Sequence, residues 1–529
     1  MNHLPWRSAS MAFLVLLLGC AGAGTSEAPR RRPNVLVILA DDLGFSDIGC
    51  YGGEISTPTL DRLSAGGLRF TQFYNTARCW PTRSCLLSGY YPQQIRMDPP
   101  KGRLPQWARL LPQELAPAGY RSYHSGKWHV NGAPKPVADG GFARSYDMND
   151  QDRYFSPQRN REDDQALPPV ARGSGYYATT AIADHAIRCL KEHAREHPDT
   201  PFFSYLAFIS PHFPLHALKE DIDLYRDKFL DGWDAIRERR WKRLRDLGIV
   251  DGALSTRDPN FHPRYFKKEV LERLGPGEVE TSAAWTDLTP EQKRFQATKM
   301  AIHAAMVHRM DREIERVLEQ IRSMNALDDT VVMFLSDNGA DATILIRGDG
   351  HDPAADPGSA ASFLCLGPGW ASASNSPFRR HKVWVHEGGI STPLIVHWPR
   401  GIAARGELRH TQGHVVDLVP TILELAGATP LSTGGPRRPG RSLVPALEKD
   451  VPVPHDFIYF NHEGNHALRE GDWKLVSSQE NRDAWELYDL SRDRAEMNDL
   501  AGREPERVNR MAARWKALSE EYARDAAGP

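Results

Sequence analysis

The sequence predicts an α/β fold: a large mixed, mostly parallel sheet sandwiched by helices, then a smaller C-terminal antiparallel sheet with a helix. Three observations carry this. Continuous apolar runs of strand length, rich in β-branched residues, occur at Asn34-Val35-Leu36-Val37-Ile38-Leu39-Ala40, Pro201 to Phe208 and Thr330 to Leu335. Such runs suit strands buried on both faces, as in parallel sheets covered by helices. Helical patterns lie between them, at Pro58 to Ala65, Tyr177 to His193 and Pro290 to Met324, and this alternation favours a parallel or mixed sheet. The C-terminal part changes character, with short strand patterns at Phe457 to Phe460, Ala467 to Arg469, Trp473 to Val476 and Glu486 to Tyr488. Glu470-Gly471-Asp472 makes a hairpin turn between two of them, and a helix is expected from Glu504 to about Ala523.

The chain opens with Arg7 ahead of the apolar run Met11 to Leu18 and a stretch of small residues. That run is too short to span a bilayer and resembles a signal-peptide core. Leu17-Leu18-Gly19-Cys20 resembles a bacterial lipobox in which Cys20 is lipidated after cleavage; the alternative is a plain secretory signal cleaved near Ala23. Residues 1–24 are therefore expected to be an export segment. The mature chain is expected in the periplasm or on the outer surface of a bacterium, with a lipid anchor as its sole membrane attachment. After a polar linker, the main domain is expected over 33–430 and the C-terminal α+β subdomain over 431–529. Gly140 to Ala171 and Gly339 to Arg380 are long and weakly periodic, and loops of that length are often lids or binding loops.

A formal charge of −2 over 529 residues gives no global field to recruit nucleic acid, so any anion must be held by local cations. Cys50, Cys85, Cys189 and Cys365 are widely spaced without a metal-type pairing, and are too sparse for a disulfide scaffold. They are read as buried thiols or as one or two bridges.

The three apolar runs end in Asp41-Asp42, Ser210-Pro211-His212 and Ser336-Asp337-Asn338. In open α/β sheets ligands bind beyond the carboxyl ends of strands. Adjacent carboxylates repel unless a cation is near, and a set of oxygen donors suits calcium or magnesium over zinc. Taken singly, each pair favours a plainer reading, Asp41-Asp42 as a loop start and Asp337-Asn338-Gly339 as a tight turn.

Cys79-Trp80-Pro81-Thr82-Arg83, running into Ser84-Cys85-Leu86-Leu87-Ser88-Gly89, has the cysteine-x-proline-x-arginine pattern at which sulfatases oxidise cysteine to formylglycine. Further motifs of that family stand in its order: Asp41-Asp42, Gly126-Lys127-Trp128-His129, Ser210-Pro211-His212-Phe213-Pro214, Asp337-Asn338-Gly339, and Lys382 ahead of Glu387-Gly388-Gly389. From about Pro33 to Leu500 the chain resembles the formylglycine-dependent type I sulfatases, in their arylsulfatase-like branch, which share the alkaline-phosphatase-like fold.

The resemblance implies hydrolysis of an aryl or carbohydrate sulfate ester to alcohol and inorganic sulfate, after a maturation enzyme converts Cys79 to formylglycine. The aldehyde hydrates; one hydroxyl attacks sulfur, and proton loss from the other expels sulfate. Asp41, Asp42, Asp337, Asn338 and the modified Cys79 are the implied metal ligands, for calcium in preference to magnesium. Arg83 is implied to stabilise the hydrate, Lys127 and Lys382 to bind sulfate, His129 to act on the hydrate, and His212 to protonate the leaving oxygen. Thr82 stands where serine is commoner, Asp493-Arg494 where aspartate-proline is usual, and His386 where many relatives carry an aromatic residue, which makes it an expected pocket residue. The rival readings are a cysteine hydrolase with a free Cys79 thiol, a phosphate or phosphonate monoester hydrolase of the same superfamily, and a non-catalytic sulfated-glycan binding protein.

Overall fold

The computed structural model describes residues 1–2, 32–432, 434–481 and 484–527. The expected signal segment, Cys20 included, lies outside them apart from its first two residues. A ten-stranded mixed sheet forms the centre, in spatial order β10-β2-β9-β8-β1-β7-β3-β4-β5-β6. Its strands are β1 (Asn34–Ala40), β2 (Leu68–Tyr74), β3 (Arg121–Gly126), β4 (Arg144–Asp147), β5 (Arg161–Glu162), β6 (Gln165–Ala166), β7 (Phe202–Ala207), β8 (Thr330–Ser336), β9 (Ser391–His397) and β10 (Glu407–His414). The three strands predicted from apolar runs are the adjacent central ones: β1 pairs in parallel with both β7 and β8.

Burial on both faces explains their composition. Leu36 and Ile38 of β1 belong to one core and Val35, Val37 and Leu39 to the other, all fully buried. Each such side chain contributes about 1.5–3 kcal/mol relative to exposure. Among the described helices, α1 (Pro58–Ala65), α3 (Ala178–Glu196) and the long α4 (Pro290–Ser323) cover the first face. The helix α2 (Cys79–Ser88) packs Leu86 and Leu87 on the second. β9 runs antiparallel to β2 and β8, which makes the sheet mixed.

The segment 140–171, read as a long lid or binding loop, carries strands of its own. It contains β4, parallel to β3, and the short antiparallel pair β5–β6. The four short C-terminal patterns form an antiparallel sheet of β11 (Ile458–His462), β12 (Asn465–Glu470), β13 (Trp473–Ser477) and β14 (Trp485–Asp489). Gly471 takes φ 57° in the predicted β12–β13 turn, a left-handed conformation that costs glycine little. Tyr459 and Leu468 share a core with Met511, Leu518 and Tyr522 of helix α5 (Pro505–Ala527). Ile458, Phe460 and Val476 pack on Tyr74 and Ala77, so this sheet backs the turn that presents Cys79. Cys50, Cys85, Cys189 and Cys365 are all buried free thiols. Among the described residues no helix is long and apolar enough to cross a membrane.

Candidate active site

Parallel pairing of β1 with β8 sets Ala40 opposite Ser336. Asp41-Asp42 and Asp337-Asn338 therefore leave the sheet side by side at one carboxyl edge. Gly126 ends β3 opposite Ala207 of β7, bringing Lys127 and His212 to the same edge. Gly126 has φ 119°, and a Cβ there would lie 1.8 Å from the Ala207 carbonyl oxygen; only glycine permits this sharp exit. Asp42, Ala77, His129 and Val383 also take positive φ, at 65°, 64°, 52° and 83°. Left-handed backbone is costly for such residues and clusters at functional sites.

Cys79 is the first residue of α2 and is 3% exposed. The turn before it is fastened by Thr82, whose hydroxyl oxygen accepts from the Thr76 backbone N–H at 3.1 Å and lies 2.8 Å from Thr76 Oγ1. Threonine thus serves the position structurally. One turn into the helix, Arg83 reaches back beneath Cys79. Its Nε donates to Asp337 Oδ2 at 2.9 Å and its Nη1 to the Lys127 carbonyl at 2.8 Å, and its Nη2 lies 3.6 Å from Asp41 Oδ2. Lys127 Nζ donates to Asp41 Oδ2 at 2.6 Å. Lys382 Nζ lies 2.7 Å from Asp42 Oδ1 and 3.0 Å from Asp341 Oδ2. Asp41, Asp42, Arg83, Lys127, Asp337 and Lys382 therefore converge on one buried cluster at the foot of Cys79, and His212 Nε2 reaches it 3.7 Å from Asp42 Oδ2.

The electrostatics follow from burial among mixed charges. Burial pushes the Cys79 thiol up, but Lys127 and Lys382 outweigh it and hold the group below its ordinary value. Burial raises Asp42 to about 7 despite Lys382, with Asp41 and Asp341 adding repulsion. Asp337 is raised by burial and by Asp41. Burial also opposes ionisation of Asp41, yet Lys127, Arg83 and Lys382 keep its carboxyl below the usual range. Burial drives His129 and His212 well below an ordinary imidazole, helped by Lys127 for His129 and by Lys382 for His212, so both are neutral here.

The donor set fits a divalent cation. Asp41 Oδ1 and Asn338 Oδ1 are buried without a hydrogen-bond partner among the described residues, which is uncommon for buried acceptors. Asn338 Nδ2 donates to Asp42 Oδ1 at 2.7 Å, fixing the amide with its oxygen free. Asp41, Asp42 and His212 offer ligand atoms within 4.8 Å of one another. Crowded carboxylates with unshared oxygens are what a hard cation relieves.

Two acidic residues were not anticipated. Asp341 pairs with Lys382 and is held by Thr343 N at 2.9 Å; its signal was its place in the same loop as Asp337-Asn338. Asp147, 5% exposed at the end of β4, lines a cavity of about 380 Å³ that opens beside Lys127 and His129. His386, expected in the pocket, is instead 1% exposed and faces Glu486 of β14 at 3.4 Å. It braces the joint between the sheets, because the short helical turn it caps is covered by the C-terminal sheet.

The sulfatase family model matches residues 33–428. The chain belongs to the sulfatase family. A second model, described as N-sulphoglucosamine sulphohydrolase, C-terminal, matches residues 379–521 of this sulfatase. It is 31% identical to an uncharacterized sulfatase of Schizosaccharomyces pombe, over 93% of this chain and 94% of that one. It is 30% identical to the arylsulfatase of Klebsiella aerogenes, over 80% and 92%. An N-acetylglucosamine-6-O-sulfatase of Bacteroides thetaiotaomicron is 24% identical over 92% and 85%. The fold is shared with a protein solved in complex with D-glucosamine-2-N,6-O-disulfate, its substrate, at TM-score 0.63 and 21% identity over 93% and 98% of the chains. The protein is thus a sulfuric ester hydrolase with an alkaline-phosphatase-like fold.

Proposed function

We propose that this sulfatase hydrolyses the sulfate ester of a sugar, using residue 79 as formylglycine and one bound divalent cation, calcium in preference to magnesium. The observation that carries the reading is Cys79 at a helix start, buried under the influence of Lys127, Lys382, Arg83 and Asp41. Hydrated, residue 79 would supply one hydroxyl to attack sulfur as the S–O bond to the alcohol breaks, and a second whose proton loss would release sulfate and restore the aldehyde. Asp41, Asp42, Asp337 and Asn338, with the modified residue 79, would hold the cation, which when bound supplies positive charge to the hydrate and the sulfate oxygens.

The remaining work falls to the chain's own groups. Lys127 and Lys382 are fixed with their side chains almost wholly buried, able to take sulfate oxygens as charge develops on them. Arg83 holds Asp337, the Lys127 carbonyl and the helix of residue 79 in one arrangement. His129 is neutral with Nδ1 unpartnered, an acceptor suited to the hydrate's proton. His212 Nδ1 lies 2.5 Å from the Phe213 carbonyl oxygen, which assigns that nitrogen the proton and leaves Nε2 facing the site. A negatively charged ester beside it favours protonation of Nε2, after which His212 donates to the leaving oxygen.

A sugar is favoured by the cavity beside Lys127, where Asn131, Asn149, Gln151 and Asp147 supply hydroxyl partners. The names of the Bacteroides relative and of the C-terminal model support the same class. The apolar run Met11 to Leu18 ahead of Cys20 supports an exported, lipid-anchored enzyme. The test is turnover of the matured enzyme on defined sugar sulfates, aryl sulfates and the matching phosphates. Sugar sulfates should be cleaved and phosphates much more slowly; faster cleavage of the phosphates contradicts the reading.

A further inference from the structure

The cavity beside Lys127 and His129 is also lined by Arg159, Arg161 and Arg347, three arginines outside the cluster around Cys79. Asp147 of β4 and Arg161 of β5 are directly opposed in an antiparallel pair, so their side chains share a face, and both line the cavity. Arg347 enters from the 339–380 segment. It lies over the Phe213 ring at 4.8 Å, and that ring stands 4.1 Å from the imidazole of His212. Arg159 lines the cavity as well and shares the fully buried Asp150 with Arg153.

These guanidinium groups are positioned and incompletely neutralised. Arg347 is held by Asp152 at 2.8 Å with 41% of its side chain exposed, and Arg159 by Asp150 at 3.2 Å with 64% exposed. Two arginines divide Asp150 between them. Arg161 makes no ion pair among the described residues and has Asp147 as its cross-strand neighbour. Burial raises that carboxyl to about 7, so near neutrality it offsets Arg161 incompletely. Planar donor forks of this kind recognise carboxylate and sulfate-type oxygens with two parallel hydrogen bonds.

We infer that Arg161 and Arg347, with Arg159 at the rim, form a second anion subsite, and that the preferred ester is a sugar bearing another acidic group, a sulfate or carboxylate, besides the sulfate that is cleaved. This rests on the reading of the chain as a sugar sulfatase and names a narrower substrate class. The carboxylates between the arginines take the sugar's hydroxyls, which explains a cavity of alternating Arg and Asp in place of an apolar slot.

Binding to the Cys79→Ala protein separates the subsite from turnover. Isothermal calorimetry is run with hexose and hexosamine monosulfates and with their regioisomeric disulfates, glucosamine 6-O-sulfate against the 2-N,6-O-disulfate included. At least one disulfate should bind about tenfold more tightly than its monosulfate, the worth of a partly exposed charge-assisted contact. Added salt should shrink that margin, and Arg161→Gln or Arg347→Gln should cut it to about threefold or less. Equal affinity for every matched pair, or a margin intact in both glutamine variants, overturns the inference. Should either variant fold poorly, the margin in the parent and its salt dependence still decide. Cleavage of monosulfates without any disulfate margin removes only the subsite; a margin without cleavage of any sulfate ester removes the sugar-sulfatase reading and leaves the subsite standing.

Discussion

Arg83 and Asp337 meet at 2.8 Å with neither side chain exposed, and this buried pair ties the helix carrying Cys79 to the end of β8. Arg83 also donates to the Lys127 carbonyl, so one guanidinium fixes the helix of Cys79, the strand end bearing Asp337 and the start of the loop carrying Lys127. Arg83→Ala leaves Asp337 buried without its partner, a change that costs about 3–5 kcal/mol. Urea denaturation of chelated protein should show that loss, with turnover falling below detection. Arg83→Lys should rescue little, since an ammonium cannot span the same acceptors. Wild-type stability in Arg83→Ala would show that the pair does not hold the site together.

Lys127 and Lys382 contact different aspartates, Asp41 and Asp42, and should act separately. Each alanine variant should lower kcat/KM by about 10²–10³, the usual worth of one preorganised donor. A loss under tenfold for either would take it out of sulfate binding.

Chelation should abolish turnover and lower the melting temperature, because a ligand bound only by the folded state stabilises it. Calcium should restore both better than magnesium. The double variant Asp41→Ala, Asp337→Ala should hold no tightly bound metal by elemental analysis. Full activity after exhaustive chelation would refute the cation assignment.

Acid should weaken the joint between the two sheets. Burial alone would raise Glu387, but Lys474, Arg494 and Arg469 bring it from 4.5 down to about 2. A carboxyl depressed on folding adds stability that is fully present above its unfolded value and is lost as pH falls through the folded one. The contribution, on the order of a few kcal/mol, should therefore disappear between about pH 4.5 and 2. Glu387→Gln should be clearly less stable than wild type at pH 6, and that gap should narrow across the window. A gap independent of pH would mean that packing, not charge, sets it.

His212→Ala should slow sugar sulfates much more than 4-nitrophenyl sulfate, because an alkoxide needs a proton more urgently than a nitrophenolate. Equal losses would restrict His212 to binding and pass the acid role to Lys382, whose side chain lies beside the same Asp42.

In the large sheet, the strands legible in the sequence were those whose burial on both faces leaves a continuous apolar signature, β1, β7 and β8, while the C-terminal strands showed as short patterns around a glycine turn. β3 escaped notice because its polar residues are buried in side-chain pairs, such as His124 Nδ1 with Ser145 Oγ at 2.8 Å and Ser125 Oγ with His185 Nδ1 at 2.7 Å. β10, with Arg409, His410 and Gln412, is an edge strand whose pairing to β2 is irregular, and polar edges carry little periodic signal. Helix α2 shows no amphipathic stripe because it is buried nearly all round. At the site, residues inside motifs could be placed, since the ends of paired strands must meet. Asp341 and Asp147 could not, because their importance arises from partners distant in sequence, Lys382 and Arg161. The cavity arginines come from the two segments read as lids or binding loops, whose composition did not say which side chains would meet.

Mass spectrometry of the peptide carrying residue 79, on preparations whose turnover number has been measured, tests the central claim most directly. The fraction of chains bearing an aldehyde at position 79 should rise in proportion to activity, and Cys79→Ala should have neither. Full turnover from protein whose Cys79 remains an unmodified thiol would contradict the account.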